Sequence, residues 1–169
     1  HAITDGRDVL PRSARPFFEK LQEGLPDGAR VATVTGRYFA MDRDNRWDRV
    51  QEAYEAMIHG QGIRAKDTHT AVTNAYARSE SDEFISATVI GDYDGAKNGD
   101  GVFCLNFRAD RAREILSAIG DPAFDAFDVG QRPDLASLLG MVEYSEAHNN
   151  FMETVFPARD IVNTLGEWV

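Results

Sequence analysis

The sequence predicts an α/β domain, a three-layer α/β/α arrangement around a central mixed β-sheet. Three observations lead there. Short β-branched segments alternate with amphipathic ones along the chain, the pattern of strands and helices taken in turn rather than in blocks. Polar turns follow several of the apolar segments, at Asp5–Asp8, Gly36–Arg46 and Asn106–Arg111. A length of 169 residues with 43% hydrophobic content suits one domain with a core of its own.

The elements follow in order. Ala2 to Thr4 reads as a short strand that ends in the turn Asp5-Gly6-Arg7-Asp8. Ser13 is placed to cap a helix running to about Glu23, with Phe17, Phe18 and Leu21 on one face and Gly24 as its stop. Ala29 to Thr35, bounded by Gly28 and Gly36, reads as a buried strand. Trp47 to His59 carries an apolar stripe of Val50, Tyr54, Met57 and Ile58 at helical spacing, closed by Gly60. A short helix over Thr70 to Arg78 and a strand over Phe84 to Ile90 come next. Gly91 to Gly101 is a Gly/Asp-rich loop. Val102 to Phe107 reads as a buried strand, Ala109 to Ile119 as a helix, Leu135 to Tyr144 as a strand, and Asp160 to Val169 as a helix. His1 opens inside a strand pattern and Val169 closes inside a helical one, so the expectation is a chain cut from a longer protein.

A net charge of −10 argues against nucleic-acid and anionic-membrane partners, because both require a basic face. No apolar run approaches the roughly 20 residues of a membrane span. The start has neither the basic residues nor the apolar stretch of a signal peptide. The single Cys104 cannot form an internal disulfide; within Val102-Phe103-Cys104-Leu105 it is expected as a buried thiol. That fits a cytoplasmic protein. His1, His59, His69 and His148 are scattered without metal-ligand spacing, so no metal site is expected on this chain. A small anionic ligand stays open, since a few arginines gathered in one cleft dominate the local field even on an acidic protein.

The three polar turns supply such arginines. Ligands of open α/β sheets sit at the carboxyl ends of strands, and these turns follow the first, second and fourth expected strands. They carry Arg7, Arg37, Arg43, Arg108 and Arg111. If those strands are neighbours, five guanidinium groups converge. Arginine suits a carboxylate or phosphate because its planar fork donates two parallel hydrogen bonds. Arg108 and Arg111 share one face at a helix start, where free N–H groups add to an anion site. The aspartates orient the arginines, and one could accept a proton from a ligand hydroxyl. Any one of these turns alone reads more readily as an ordinary turn or a solvated helix face; their joint placement at three strand ends brings a site level with that reading.

These residues resemble a known family. His1-Ala2-x-x-Asp5-Gly6-Arg7-Asp8, the run Gly36-Arg37-Tyr38-x-Ala40-Met41-Asp42-Arg43-Asp44-x-Arg46-Trp47-Asp48-Arg49, Asp82-Glu83-Phe84-Ile85, and Asn106-Phe107-Arg108-Ala109-Asp110-Arg111-Ala112-Arg113 are similar to cofactor-independent phosphoglycerate mutases, in order over nearly the whole chain. The resemblance implies the inserted, substrate-binding domain of a two-domain enzyme, with residues 1–169 as one truncated domain. That enzyme interconverts 3-phosphoglycerate and 2-phosphoglycerate in glycolysis and gluconeogenesis. It implies Arg7, Asp8, Arg37, Arg43, Arg108 and Arg111 as substrate-binding positions, and Asp8 as the position that handles a proton at the glycerate hydroxyl. The nucleophilic serine and two divalent metals, typically manganese, belong to a phosphatase-like domain of the alkaline phosphatase superfamily that this chain lacks. The chain is therefore expected to be inactive alone, the parent to be monomeric, and a free-standing binding module for small phosphorylated acids to be the alternative.

Overall fold

The computed structural model describes residues 1–158; the helix expected over 160–169 lies outside them. In chain order the elements are β1 (Ala2–Thr4), α1 (Ala14–Gly24), β2 (Thr33–Gly36), α2 (Arg37–Ala40), α3 (Trp47–His59), β3 (Ile63–Ala65) and α4 (Thr68–Ala77). A 3₁₀ turn at Asp82–Phe84 leads into β4 (Thr88–Ile90), followed by β5 (Gly101–Cys104), α5 (Ala109–Gly120), β6 (Ser137–Val142), a 3₁₀ turn at His148–Asn150, and β7 (Glu153–Phe156).

All four residues of β2 are buried, as in a strand covered on both faces. It pairs parallel with β1, Thr4 opposite Gly36, and antiparallel with β4, which pairs parallel with β3. The sheet order is β1-β2-β4-β3, and the sheet is mixed as expected. Alternation along β4 sorts its side chains between faces. Ile90 joins Phe18 of α1 with Val72 and Ala75 of α4, whereas Val89 packs with Ala56 of α3. Helices α1 and α4 thus cover one face and α3 the other, an α/β/α sandwich.

The expected single sheet is instead two. Strands β5, β6 and β7 form a separate, wholly parallel sheet in the order β5-β6-β7. The reason lies in α3, which is apolar on two sides. Ala56 faces the first sheet; Val50, Tyr54 and Met57 face Ala112, Ile115 and Leu116 of α5, with Leu138, Tyr144 and Met152 beyond. Closing the outer side of α3 takes a second layer, α5 backed by β5–β7, which a strand added to the first sheet could not supply.

Other local expectations also shift. Only Phe18 of the α1 trio is buried; Phe17 and Leu21 are exposed. Ser13 sits at the start of α1, but its hydroxyl donates back to Leu10 O at 2.6 Å and does not cap. The 102–107 strand stops at Cys104, and Phe103, on the sheet face away from the half-buried Val102 and Cys104, is exposed, as are Leu105 and Phe107 beyond the strand. Cys104 is half-buried rather than buried. The 84–90 strand shortens to β4 because residues 82–87 bond elsewhere: Ile85 O accepts from Gly36 N at 2.7 Å, and Ala87 O from Ile63 N at 3.1 Å. Among the described residues no helix is long and apolar enough to cross a membrane.

Candidate functional site

Two glycines set the first two arginine turns side by side. Gly6 has φ +68°, which glycine alone adopts without strain. A Cβ there would sit 2.8 Å from Asp82 Cβ, and one on Gly36 would fall on the carbonyl oxygen of Glu83. The 82–84 turn therefore rests on both backbones. Asp82, 1% exposed, fixes it there. Its Oδ2 accepts from Ser13 N at 2.7 Å, its Oδ1 from the Tyr76 hydroxyl at 2.5 Å, and its carbonyl from Thr4 Oγ1 at 2.6 Å. Burial, then Asp82 itself, pushes the Tyr76 hydroxyl up to about 12, so Tyr76 stays a donor.

Arg37 follows Gly36 directly and is 6% exposed. Its Nη1 donates to Asp5 Oδ1 at 2.5 Å and to Asp8 Oδ2 at 2.8 Å. Arg108, just before α5, donates from Nη1 to the same Asp8 Oδ2 at 3.1 Å. Asp8 is thus gripped by guanidinium groups from both halves of the fold. The Arg37 hydrogen bond, aided by the charges of Arg37 and Arg108, holds the Asp8 carboxyl below its ordinary range. For Asp5, burial acts upward but is outweighed by Arg37 and the N–H groups of Asp8 and Arg7, so its carboxyl too lies below the ordinary range. Both arginine contacts of Asp8 fall on Oδ2; Oδ1 has no protein partner among the described residues.

A second group lies beside the first. Arg43 Nη1 bonds Asp110 Oδ2 at 2.8 Å, Arg111 Nε approaches the same oxygen at 4.0 Å, and Arg111 Nη1 donates to Met41 O at 3.1 Å. Burial first, then the charges of Arg43 and Arg37, push the Arg111 guanidinium below its ordinary value, and Arg7 adds to the effect. Arg111 feels positive charge from both of the other turns at once. Arg37, Arg43, Arg108 and Arg111 thus meet Asp5, Asp8 and Asp110 in ion pairs on a protein whose net charge is −10, whereas the exposed Arg7 side chain makes no hydrogen bond or ion pair among the described residues. A recess of about 510 Å³ opens at the first group, lined by Asp5, Asp8, Met41 and Phe107 with two of the five arginines, Arg37 and Arg108; Arg7, Arg43 and Arg111 are not part of its lining.

The strands that carry the three turns are not all neighbours. β1 and β2 pair, but β5 belongs to the other sheet. Arg108 reaches Asp8 because α3 and α5 pack together and align the carboxyl ends of β2 and β5. Sequence reasoning missed Asp110 as the link between Arg43 and Arg111, although it stands between Arg108 and Arg111. It also missed Asp82 and Tyr76 as the brace behind the turns, contacts that no spacing rule reaches. Among the described residues no group of three or more His, Cys, Asp or Glu side chains could hold a metal ion, and the carboxylates of the cleft are engaged by arginines.

A family profile described as the BPG-independent PGAM N-terminus matches residues 1–146. The chain belongs to that family. It is 67% identical, over its whole length, to the 2,3-bisphosphoglycerate-independent phosphoglycerate mutase of Ruegeria pomeroyi and 65% identical to that of Roseobacter denitrificans. It spans about a third of each, 34% of their length. Among solved structures, the phosphoglycerate mutase of Leishmania mexicana, crystallised at low cobalt concentration, superposes with a TM-score of 0.83 over 96% of this chain and 32% of that one, at 27% identity. The α/β fold and the family that the motifs resemble both hold.

Proposed function

We propose that this chain forms the substrate-binding part of a phosphoglycerate mutase that interconverts 3-phosphoglycerate and 2-phosphoglycerate, and that it is inactive alone. One observation carries the proposal: Asp8 lies between Arg37 and Arg108, and Arg43 and Arg111 flank Asp110 beside it. Phosphoglycerate presents a carboxylate, a phosphate and a hydroxyl. Exposed Arg7, Arg43 and Arg108 can turn to the two anionic groups with charge-assisted hydrogen bonds, while buried Arg37 and half-buried Arg111 hold the field in place. Oδ1 of Asp8, ionised and unengaged, can accept the proton of the glycerate hydroxyl as it takes the phosphoryl group. Spreading positive charge around the ligand also lets glycerate reorient between two phosphoryl transfers without leaving, an advantage of position over bulk diffusion.

Divalent metals in the remainder of the polypeptide would activate the nucleophile that carries the phosphoryl group; this chain binds and orients the acid. The test is steady-state kinetics of a full-length polypeptide carrying this chain. Arg108→Ala and Arg43→Ala are expected to raise KM for 3-phosphoglycerate by about tenfold or more, the loss of one charge-assisted contact. Wild-type KM in both variants would remove the arginines from substrate binding. Turnover by the 169-residue chain itself would refute its inactivity.

A further inference from the structure

We propose that Glu114 is a positioning residue for this site: it carries the proton of a buried carboxyl–carboxylate pair with Asp42, and that hydrogen bond locks the loop presenting Arg43. The loop is 42–46, between α2 and α3. Three successive backbone N–H groups point inward. Those of Asp44 and Arg46 donate to Asp42 Oδ2 at 2.9 and 3.0 Å, and that of Asn45, at φ +56°, donates to Glu114 Oε1 at 3.0 Å. Asp42 is 5% exposed and Glu114 8% exposed. Two carboxyl groups from different elements thus hold one loop by alternate amides.

Charge balance decides the protonation. Asp42 Oδ1 has a cation, Arg49 of α3, at 3.2 Å, itself stacked 3.8 Å over the Tyr38 ring. Glu114 makes no ion pair among the described residues. Among the described residues its Oε2 is buried without a partner, and the neighbouring charges that act on its carboxyl are those of Asp42 and Asp44. Two ionised carboxylates there would repel, and a buried oxygen without a partner costs about 1–3 kcal/mol. A proton on Oε2, donated to Asp42, removes both penalties. Burial first, then Asp42, pushes the Glu114 carboxyl upward, whereas the loop N–H groups, Glu114 and Arg49 outweigh burial and hold Asp42 down. Glu114 lies one turn beyond Asp110 and Arg111 on α5. The lock therefore ties the Arg43 loop to the helix that carries Arg43's partner Asp110. As pH rises through the Glu114 titration, the pair gains a second negative charge and the loop is released.

The functional consequence rests on the phosphoglycerate reading; the lock itself does not. The test is carbon-detected NMR of the Glu114 carboxyl and amide shifts of residues 43–46 in the 169-residue protein, from about pH 3 to about pH 9. The expected result is a Glu114 midpoint above the roughly 4.3 of a free glutamate, with the loop amides moving at that same midpoint. In Glu114→Gln the amide reproduces both hydrogen bonds, so the loop amides are expected to hold their low-pH positions throughout. In Asp42→Asn, which removes the charge but keeps the shape, the Glu114 midpoint is expected to fall. A wild-type midpoint at or below 4.3, or loop amides that ignore it, overturns the proposal without any variant having to fold. Added 3-phosphoglycerate then separates the two readings. Shifts at Arg43 that fade above the midpoint in wild type but not in Glu114→Gln support both; no shifts, with the titration as expected, overturn only the ligand.

Discussion

Replacing Arg37 with methionine separates its charge from its packing. The methionine keeps an apolar stem in the buried position and removes the guanidinium that donates to Asp5 and Asp8. A hydrogen bond to a charged group contributes about 1.5–3 kcal/mol. Asp8 is 56% exposed, so water replaces that contact, whereas Asp5 is 34% exposed and keeps the N–H donors of Arg7 and Asp8 at 3.2 Å, so solvent recovers part of its loss and about 1–2 kcal/mol remains from the Asp5 contact alone. At about 2–4 °C per kcal/mol for a chain of this size, Tm falls by about 2–8 °C at neutral pH. The pH dependence gives the sign. Folded-state carboxyls of Asp5 and Asp8 lie below their ordinary range, so their stabilisation is present above the unfolded value of about 3.9 and is lost as pH falls through the folded values. The gap between wild type and Arg37→Met, read by urea denaturation, is expected to be full near pH 7 and to close below about pH 3.9. An equal gap at both pH values, or none at pH 7, would refute the ion-pair argument.

Gly36→Ala is expected to cost about 1–3 kcal/mol, because its Cβ would meet Glu83 O and push the 82–84 turn off both arginine turns; calorimetry reads the loss, and wild-type Tm would contradict it. Asp8→Asn in a full-length polypeptide keeps the shape but cannot take a proton, so kcat falls about 10²-fold or more while KM changes less; an unchanged kcat removes Asp8 from proton transfer. His148 is buried between Ser145 Oγ at Nδ1 (2.8 Å) and Arg113 O at Nε2 (3.0 Å), and burial holds its pKa below the ordinary value. Its contribution is present above the unfolded pKa of about 6.5 and lost as pH falls toward the lower folded value. Wild type is therefore expected to lose stability between about pH 7 and about pH 5 more steeply than His148→Gln, as denaturation midpoints would show.

What the sequence made legible follows from range. The stripe Val50, Tyr54, Met57 and Ile58 repeats at helical spacing and ends at Gly60, whose φ is +62°, so α3 could be read almost to the residue. Strands β3 and β7 have three and four residues, too few for a period to show. Val102 to Phe107 misled because an apolar run looks the same on an uncovered sheet face as in a core; only the tertiary fold leaves Phe103, Leu105 and Phe107 exposed. The arginines were visible because each sits in a polar turn after a strand. Their supports were not, since Thr4 and Asp82, or Asn45 and Glu114, meet only through the tertiary fold.

The most direct test of the arginine site is ¹⁵N NMR of the 169-residue protein titrated with 3-phosphoglycerate, with glycerate at the same concentration as reference. The expected result is a saturating set of shifts confined to the turns bearing Arg7, Asp8, Arg37, Arg43, Arg108 and Arg111, at millimolar ligand, with much smaller changes for glycerate, which lacks the phosphate. Shifts scattered over the surface, shifts centred elsewhere, or equal responses to the two ligands would contradict an anion site built from these arginines.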